Sequence, residues 1–363
     1  MRTKLILLGA GKIGEAILNL LSHTDDYEIT VADRDRRRLN QVEAAKFPRV
    51  RTVEADISDL GGVMQLIEGN AYAISACPYY HTPVIAEAAL QTKSHYFDLT
   101  EDVASARQVR RLAELSETAF VPQCGLAPGF ISIAANEVAS HFDSLREVKM
   151  RVGALPIYPS NALKYNLTWS TDGLINEYCN PCESIIDGQL RETLPLEEVE
   201  HFSLDGIDYE AFNTSGGLGT LCASLDGNVQ NLSYKTVRYP GHRDIIKMLV
   251  RDLELGLPER RPILKEILES SIPITIQDVV LVFVSVTGSR HARLEQETYA
   301  KKIYSQEVNG SMLSAIQLTT AAGVCAMVEL LREGNLPSSG LVCQEDARMS
   351  DFLANRFGQY YAV

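Results

Sequence analysis

Gly9-Ala-Gly11-Lys12-Ile13-Gly14, near the start of a 363-residue chain, has the spacing G-x-G-x-x-G. Glycines at these three places permit a tight turn, close approach of a pyrophosphate and tight packing of a helix on a strand. The strand-like run Lys4–Leu8 precedes the motif, and an apolar-faced helix from Gly14 to about Leu21 follows it. A helix N-terminus offers free N–H groups and partial positive charge to phosphates. In that setting Gly9, Gly11, Lys12, Ile13 and Gly14 read as a dinucleotide site rather than a plain strand–turn–helix. Asp33 ends the next strand-like run, Tyr27–Ala32, 24 positions after Gly9. A carboxylate there accepts from both hydroxyls of an adenosine ribose and repels a 2′-phosphate, which favours NAD. Arg34 is the neighbour that would accommodate a 2′-phosphate, making NADP the alternative. Arg36, Arg37 and Arg38 read as a solvated helix face. Asp56 and Ile57, after the third strand, are placed beside the adenine.

The framework around these residues alternates strands and helices. Ile74–Ala76 precedes the helical pattern Val84–Leu90, and His95–Leu99 and Ala119–Pro122 flank the helix-like Ala104–Leu115. Such alternation implies right-handed βαβ crossovers and a parallel sheet covered on both faces. After Gly125-Leu-Ala-Pro-Gly129 the rhythm changes. Val148–Ala154 alternates, Tyr234–Tyr239 is β-prone, Asp278–Thr287 is a buried-strand run, and Glu297–Tyr304 alternates again beyond a turn at Gly288–His291. These longer strands predict a mixed sheet. From Met312 to Leu331 apolar residues recur at helical spacing, ending at Gly334, and this helix is expected to pack back on the first domain. The predicted fold is α/β. A discontinuous Rossmann domain spans 1–125 and 310–363, with an inserted α+β substrate and oligomerisation domain over 126–309.

Composition sets outer bounds. The chain is 45% apolar, and 34 Lys and Arg face 47 Asp and Glu for a net charge of −13; mean hydropathy is −0.05. No clustered basic surface points to nucleic acid. Apolar runs such as Asp278–Thr287 stop short of a bilayer span, so no membrane is expected. Gly9 follows too soon for a secretory h-region. Seven cysteines, an odd number in a large chain, fit reduced thiols and a cytoplasmic protein. Cys179-Asn-Pro-Cys182 lacks a second pair or two histidines for zinc, with only His201 in reach, so no metal is expected. Cys77 and Cys124 read as small packing residues.

Further segments carry a resemblance. They are Cys77-Pro-Tyr-Tyr-His-Thr-Pro-Val84, His95-Tyr-Phe-Asp-Leu-Thr100, Gly125-Leu-Ala-Pro-Gly129, Gly153-Ala-Leu-Pro156, Tyr165-Asn-Leu-Thr-Trp-Ser-Thr-Asp-Gly173 and Tyr234-Lys-Thr-Val-Arg-Tyr-Pro-Gly-His242. In order and spacing the chain resembles the saccharopine dehydrogenase family, including its lysine 6-dehydrogenase relatives, over nearly its whole length. The resemblance implies a Rossmann domain, an inserted substrate domain and reversible hydride transfer at a C–N bond of a lysine-derived amino acid. It implies that Ser75, Ala76, Cys77 and Pro78 line the cofactor, with Thr100 and Trp169 also against it. Tyr79, Glu101, Asn166, Thr214, Ser215, Thr236 and Arg238 are implied on the substrate, Arg238 holding a carboxylate. Asn213-Thr-Ser-Gly216 departs from the Asn-Arg-Asp-Ser of fungal relatives that handle saccharopine and looks like the lysine 6-dehydrogenase branch.

The residues themselves fit amine oxidation. The nitrogen must lose a proton, a hydride must leave toward a nicotinamide, and water must attack the resulting iminium. Ligands of open α/β sheets lie beyond the strands' carboxyl ends, where His81, Asp98, Glu101 and Asp102 fall. Asp98 and His81 are the predicted catalytic residues: a carboxylate to hold or relay the ammonium proton, or alternatively a cap, and a group titrating in the useful range. Saccharopine is the first substrate expected, yielding 2-aminoadipate 6-semialdehyde and glutamate. Lysine, yielding the same semialdehyde and ammonia, is the alternative, and a non-catalytic redox sensor ranks below both. A second carboxylated moiety would call for cations beyond Arg238, with Lys149, Arg151, Lys164 and Arg243 the ones to check. A homodimer built on Asp278–Thr287 and its hairpin partner is expected.

Overall fold

The computed structural model describes residues 2–362. The chain divides into two compact units, one comprising residues up to 129 with 307–313 and 317 onward, the other 130–306 with 314–316.

The first unit begins β1 (Thr3–Leu8), α1 (Lys12–Ser22), β2 (Tyr27–Asp33), α2 (Arg36–Ala45), β3 (Val50–Glu54), α3 (Leu60–Ile67), β4 (Tyr72–Ser75), α4 (Thr82–Thr92), β5 (His95–Asp98), α5 (Val103–Ala113) and β6 (Ala119–Val121). Leu5, Ile6, Leu7 and Leu8 are all 0% exposed. A parallel strand covered on both faces requires such an unbroken apolar run, and each side chain contributes about 1.5–3 kcal/mol. Asp35, Asp59 and Asp102 start α2, α3 and α5 by accepting from Arg37, Gly62 and Ser105 backbone N–H groups, each cap stabilising by about 1 kcal/mol.

The second unit holds α6 (Phe130–Ala139), β7 (Ser144–Pro156), α7 (Thr171–Cys179), β8 (Cys182–Ile186), β9 (Gln189–Thr193), β10 (Glu200–Leu204), β11 (Ile207–Asn213), α8 (Leu221–Ser224), β12 (Val229–Arg238), α9 (His242–Lys247), α10 (Arg261–Ser271), β13 (Asp278–Arg290) and β14 (Arg293–Tyr304). Its mixed sheet runs β10-β11-β12-β7-β13-β14, with the β8–β9 hairpin attached at β12. β7 and β12 are parallel, and the other pairs are antiparallel. Val280, Val282, Val284 and Val286 are all 0% exposed on one face, with α6 packed against β13. Over the other face the β10–β11 hairpin curls back. Phe202 meets Phe283 at 5.6 Å between ring centroids, and Glu200 pairs with Arg151 at 2.8 Å.

The chain then returns through β15 (Gln306–Val308), β16 (Ser311–Leu313), α11 (Ala315–Arg332), β17 (Gly340–Leu341) and α12 (Met349–Ala354). β17 pairs with β6, completing a seven-stranded parallel Rossmann sheet of order β17-β6-β5-β4-β1-β2-β3. A Cβ on Gly323 of α11 would lie 2.6 Å from the Gly125 carbonyl, so the helix lies directly on that loop. One expectation changes here. α11 is 18 residues long and apolar enough to cross a membrane, although 83% of that stretch is buried in the protein. Its Glu329 is 2% exposed and paired with Arg332 and Arg356.

Candidate functional site

The glycine loop is shaped by backbone contacts. Gly9 has a φ of +105°, and a Cβ on it would lie 2.7 Å from the Ala76 carbonyl; a Cβ on Gly14 would lie 2.1 Å from the Gly9 carbonyl. Gly11 precedes α1 without any side-chain cap. Among the described residues the amides of Gly11, Lys12, Ile13 and Gly14 have no acceptor. Four unspent N–H groups at the positive end of an 11-residue helix fit a pyrophosphate.

Asp33 is buried, and each carboxylate oxygen already accepts a backbone N–H, Oδ2 from Ala10 and Oδ1 from Asp35, both at 2.8 Å. The carboxylate thus ties the glycine loop to the β2–α2 turn and keeps a further lone pair on each oxygen. Arg38 is exposed on α2 yet reaches back toward the glycine loop. Its Nη1 lies 3.7 Å from Asp33 Oδ2 and 3.7 Å from where a Cβ on Gly11 would be. Arg36 and Arg37 do turn outward, onto Glu43 and Asp35. Asp56 is exposed and held below the usual carboxylate range by hydrogen bonds from Ser58, then by the charges of Arg34 and His81; Ile57 is buried. His81 closes the short turn Tyr79–His81, and burial followed by Arg34 lowers its pKa. Its charged neighbours are Arg34 and Asp56, residues expected at the adenosine end.

At the neighbouring strand ends, Ser75 pairs in register with Asp98. The Cys77 thiol donates to the Leu8 carbonyl at 3.0 Å, and burial pushes it up. Pro78 is exposed, and the Tyr79 carbonyl accepts from the Ser105 hydroxyl at 3.2 Å. Asp98 is 1% exposed, and its Oδ1 accepts from Thr100 N at 3.0 Å and Gln123 N at 2.9 Å. Burial raises it to about 6 against those bonds. Oδ1 thus joins two loops, while the buried Oδ2 has no hydrogen-bond partner among the described residues. Thr100 Oγ1 accepts from Asp102 N at 3.2 Å, and Glu101 lies half-buried between them.

The second unit gathers its own polar cluster. Arg238, at the end of β12, is 2% exposed. Its Nε donates to Tyr178 Oη at 3.1 Å, its Nη1 donates to the Val237 carbonyl at 2.9 Å, and its guanidinium lies 4.9 Å from the Tyr165 ring centroid. Nearby Glu177 favours the cation, yet among the described residues no carboxylate lies within ion-pair distance of it. Thr214 and Thr236 share a hydrogen bond at 2.7 Å. Ser215 donates its hydroxyl to the Pro181 carbonyl at 2.8 Å, fixing that loop. The buried polar atoms Tyr165 Oη, Asn166 Oδ1 and Thr168 Oγ1 have no partner, and Trp169 packs half-buried beside the cluster of Tyr165, Leu167 and Tyr178. Cys179 and Cys182 are free thiols. Sequence reasoning passed over Tyr178 and Glu177 and gave His242 no role; its one signal was the Gly-His pair that follows Arg238-Tyr-Pro.

A parallel sheet whose strand ends carry an open glycine cradle, on a chain with a second unit that holds a buried polar cluster, defines an NAD(P)-binding dehydrogenase. The chain belongs to the saccharopine dehydrogenase family. Residues 5–121 match its NADP binding domain and residues 125–358 its C-terminal domain. Mitochondrial alpha-aminoadipic semialdehyde synthase of Rattus norvegicus is 21% identical over 327 residues, which are 83% of this chain and 33% of that protein. Saccharopine dehydrogenase [NADP(+), L-glutamate-forming] of Saccharomyces cerevisiae is 24% identical over 263 residues, 69% of this chain and 58% of that one. The chain thus spans about a third of the length of the synthases it matches. Apo saccharopine dehydrogenase (L-Glu forming) from S. cerevisiae shares the fold with a TM-score of 0.78 at 17% identity, covering 97% of both chains. Homospermidine synthase from Legionella pneumophila in complex with NAD gives 0.64 at 13% identity, covering 99% of this chain and 90% of that one.

Proposed function

We propose that the chain is an NADP-dependent dehydrogenase oxidising the ε-C–N bond of saccharopine, with water, to 2-aminoadipate 6-semialdehyde and glutamate, releasing NADPH and a proton. The observation that carries this reading is Arg238. A guanidinium out of water without an ion-pair partner is costly, and a substrate carboxylate, bound through two N–H groups, relieves that cost. The family and its curated relatives support the lysine-derived substrate. Bound NADP supplies the hydride acceptor. The amides of residues 11–14 hold its pyrophosphate, and Arg34 and Arg38 flank Asp33 where a 2′-phosphate would stand.

A second reading, lysine as the amine donor, has a specific observation in its favour. Of the cations a second amino-acid moiety would need, Lys149 pairs with Glu147, Arg151 with Glu200 and Arg243 with Asp244, while Lys164 donates to the Pro240 carbonyl. Reduced-cofactor formation from L-saccharopine and from L-lysine, each with NADP and NAD, separates the two. Turnover of lysine alone moves the assignment to the second reading. Arg38→Ala should lower kcat/KM for NADP about tenfold and leave NAD unchanged, as loss of a charge-assisted phosphate contact requires; equal losses with both cofactors would remove Arg38 from the 2′-phosphate.

A further inference from the structure

We infer that Tyr178 and His242 are positioning residues that aim Arg238 at the substrate carboxylate, an inference that rests on the reading of Arg238 given above. The argument starts at the Leu163 carbonyl, which can only accept. His242 Nδ1 lies 2.9 Å from it, so Nδ1 carries the proton. In the neutral ring Nε2 is then an acceptor. Tyr178 Oη, 3.0 Å away, donates to it, and its oxygen accepts from Arg238 Nε at 3.1 Å. The hydrogen bonds run one way, from Arg238 to Tyr178 to His242 to Leu163. A protonated ring would reverse the middle link and turn the tyrosine proton toward the guanidinium. His242 is 0% exposed, and burial and the Arg238 charge lower its pKa to about 3, which keeps it neutral.

The relay is also held mechanically. The Phe212 ring lies nearly parallel to the imidazole, 13° apart at 6.3 Å, and Tyr165 meets it edge-on at 5.4 Å. With Nε committed to Tyr178 and one Nη1 proton to Val237, the plane of the guanidinium is fixed. Its remaining Nη1 and Nη2 protons form the end-on fork that a carboxylate matches with two parallel hydrogen bonds. An arginine without these holders would lose that fork on rotating. Recognition would then weaken while hydride transfer, set by other residues, stayed the same.

The test uses the full chain with NADP and whichever of L-saccharopine and L-lysine it turns over. Tyr178→Phe and His242→Leu should each raise KM about tenfold, the weight of a buried hydrogen bond to a charged group, with kcat within about twofold and NADPH affinity unchanged. His242→Gln, whose amide oxygen can still accept from Tyr178, should recover most of the loss. Arg238→Lys is the reference, with an expected KM increase of about a hundredfold. If Arg238→Lys raises KM and the Tyr178 and His242 variants do not, the relay is overturned and the carboxylate reading stands. If Arg238→Lys leaves KM unchanged, both fall. Nitrogen-15 NMR of the unaltered protein gives a measurement free of folding defects. His242 should be neutral and protonated on Nδ1 between about pH 5 and pH 8, and a ring protonated on Nε2 overturns the inference by itself.

Discussion

The first unit offers an anion only backbone, the consecutive amides of residues 11–14, which have no acceptor among the described residues. The second, in the reading proposed above, offers a single side chain, Arg238, whose holders come from α7, β12, α9 and the segment between β7 and α7, with His242 and Leu163 separated by 79 positions. The backbone cradle needs no particular side chain at Lys12 or Ile13 but tolerates no Cβ at Gly9 or Gly14. The arginine cluster is the reverse, since its backbone could be reproduced by many sequences while its hydrogen bonds need Tyr178, His242 and Arg238. The two anion sites proposed for this acidic protein should therefore fail under different substitutions.

The most severe break belongs to the cradle. Gly14→Ala places a carbon 2.1 Å from the Gly9 carbonyl, a backbone atom that cannot swing aside. NADPH affinity, read by fluorescence titration, should fall at least about a hundredfold because the turn that aims the amides is lost. Ile13→Ala keeps its amide and should change affinity by no more than about threefold. Equal losses in the two variants would show that side chains, not amides, hold the phosphates.

These two modes also decided what could be read in the sequence. The cradle is contiguous and repeats a local rule, so Gly9 to Gly14, the strand before them and the helix after them were legible together. The parallel sheet was legible because each buried strand is an unbroken apolar run. Arg238 was found only through resemblance, since a β-prone arginine is ordinarily exposed. Tyr178 was invisible because α7 presents it from a segment with no periodicity pointing at β12. Asp33, Asp98 and His81 were placed correctly along the chain, but a strand end does not reveal which way a carboxylate or imidazole turns. Asp33 and Asp98 turn back onto backbone amides, and His81 feels the charges of Arg34 and Asp56.

Asp98 gives the cradle's unit a pH signature of intermediate size. Its pKa is raised by burial from 3.8 to about 6, so the folded chain binds its proton more tightly than the unfolded chain does. The associated stability is fully present below about pH 4 and is lost as pH rises through about 6, about 1.4 kcal/mol for each unit of the shift. Asp278, which caps α11 through Ile316 N at 3.0 Å, is raised to about 6 as well and acts in the same window. Asp98→Asn keeps an oxygen for the Thr100 and Gln123 amides. In urea denaturation it should reduce the fall in stability between pH 4 and pH 6 by about half. An unaltered slope would mean that Asp98 titrates alike in the folded and unfolded chain.

The smallest effect is expected at the most conspicuous motif of the second unit, Cys179-Asn-Pro-Cys182. Burial pushes the Cys182 thiol up to about 12, with Glu177 and Glu198 adding to the shift. Cys179 is raised by burial despite Arg261 and Arg251. A thiol is a nucleophile or ligand only as thiolate, and burial works against that form at both positions. The Cys179→Ser, Cys182→Ser double variant should keep kcat/KM within about twofold. Peptide mapping after a brief maleimide pulse at neutral pH should leave Cys182 unlabelled in the folded chain and labelled in urea. Rapid labelling of Cys182 in the folded protein, with loss of turnover, would mean that the motif serves the substrate unit after all. The contrast with Arg238 would then narrow, because this unit would hold a second functional group whose spacing alone had announced it.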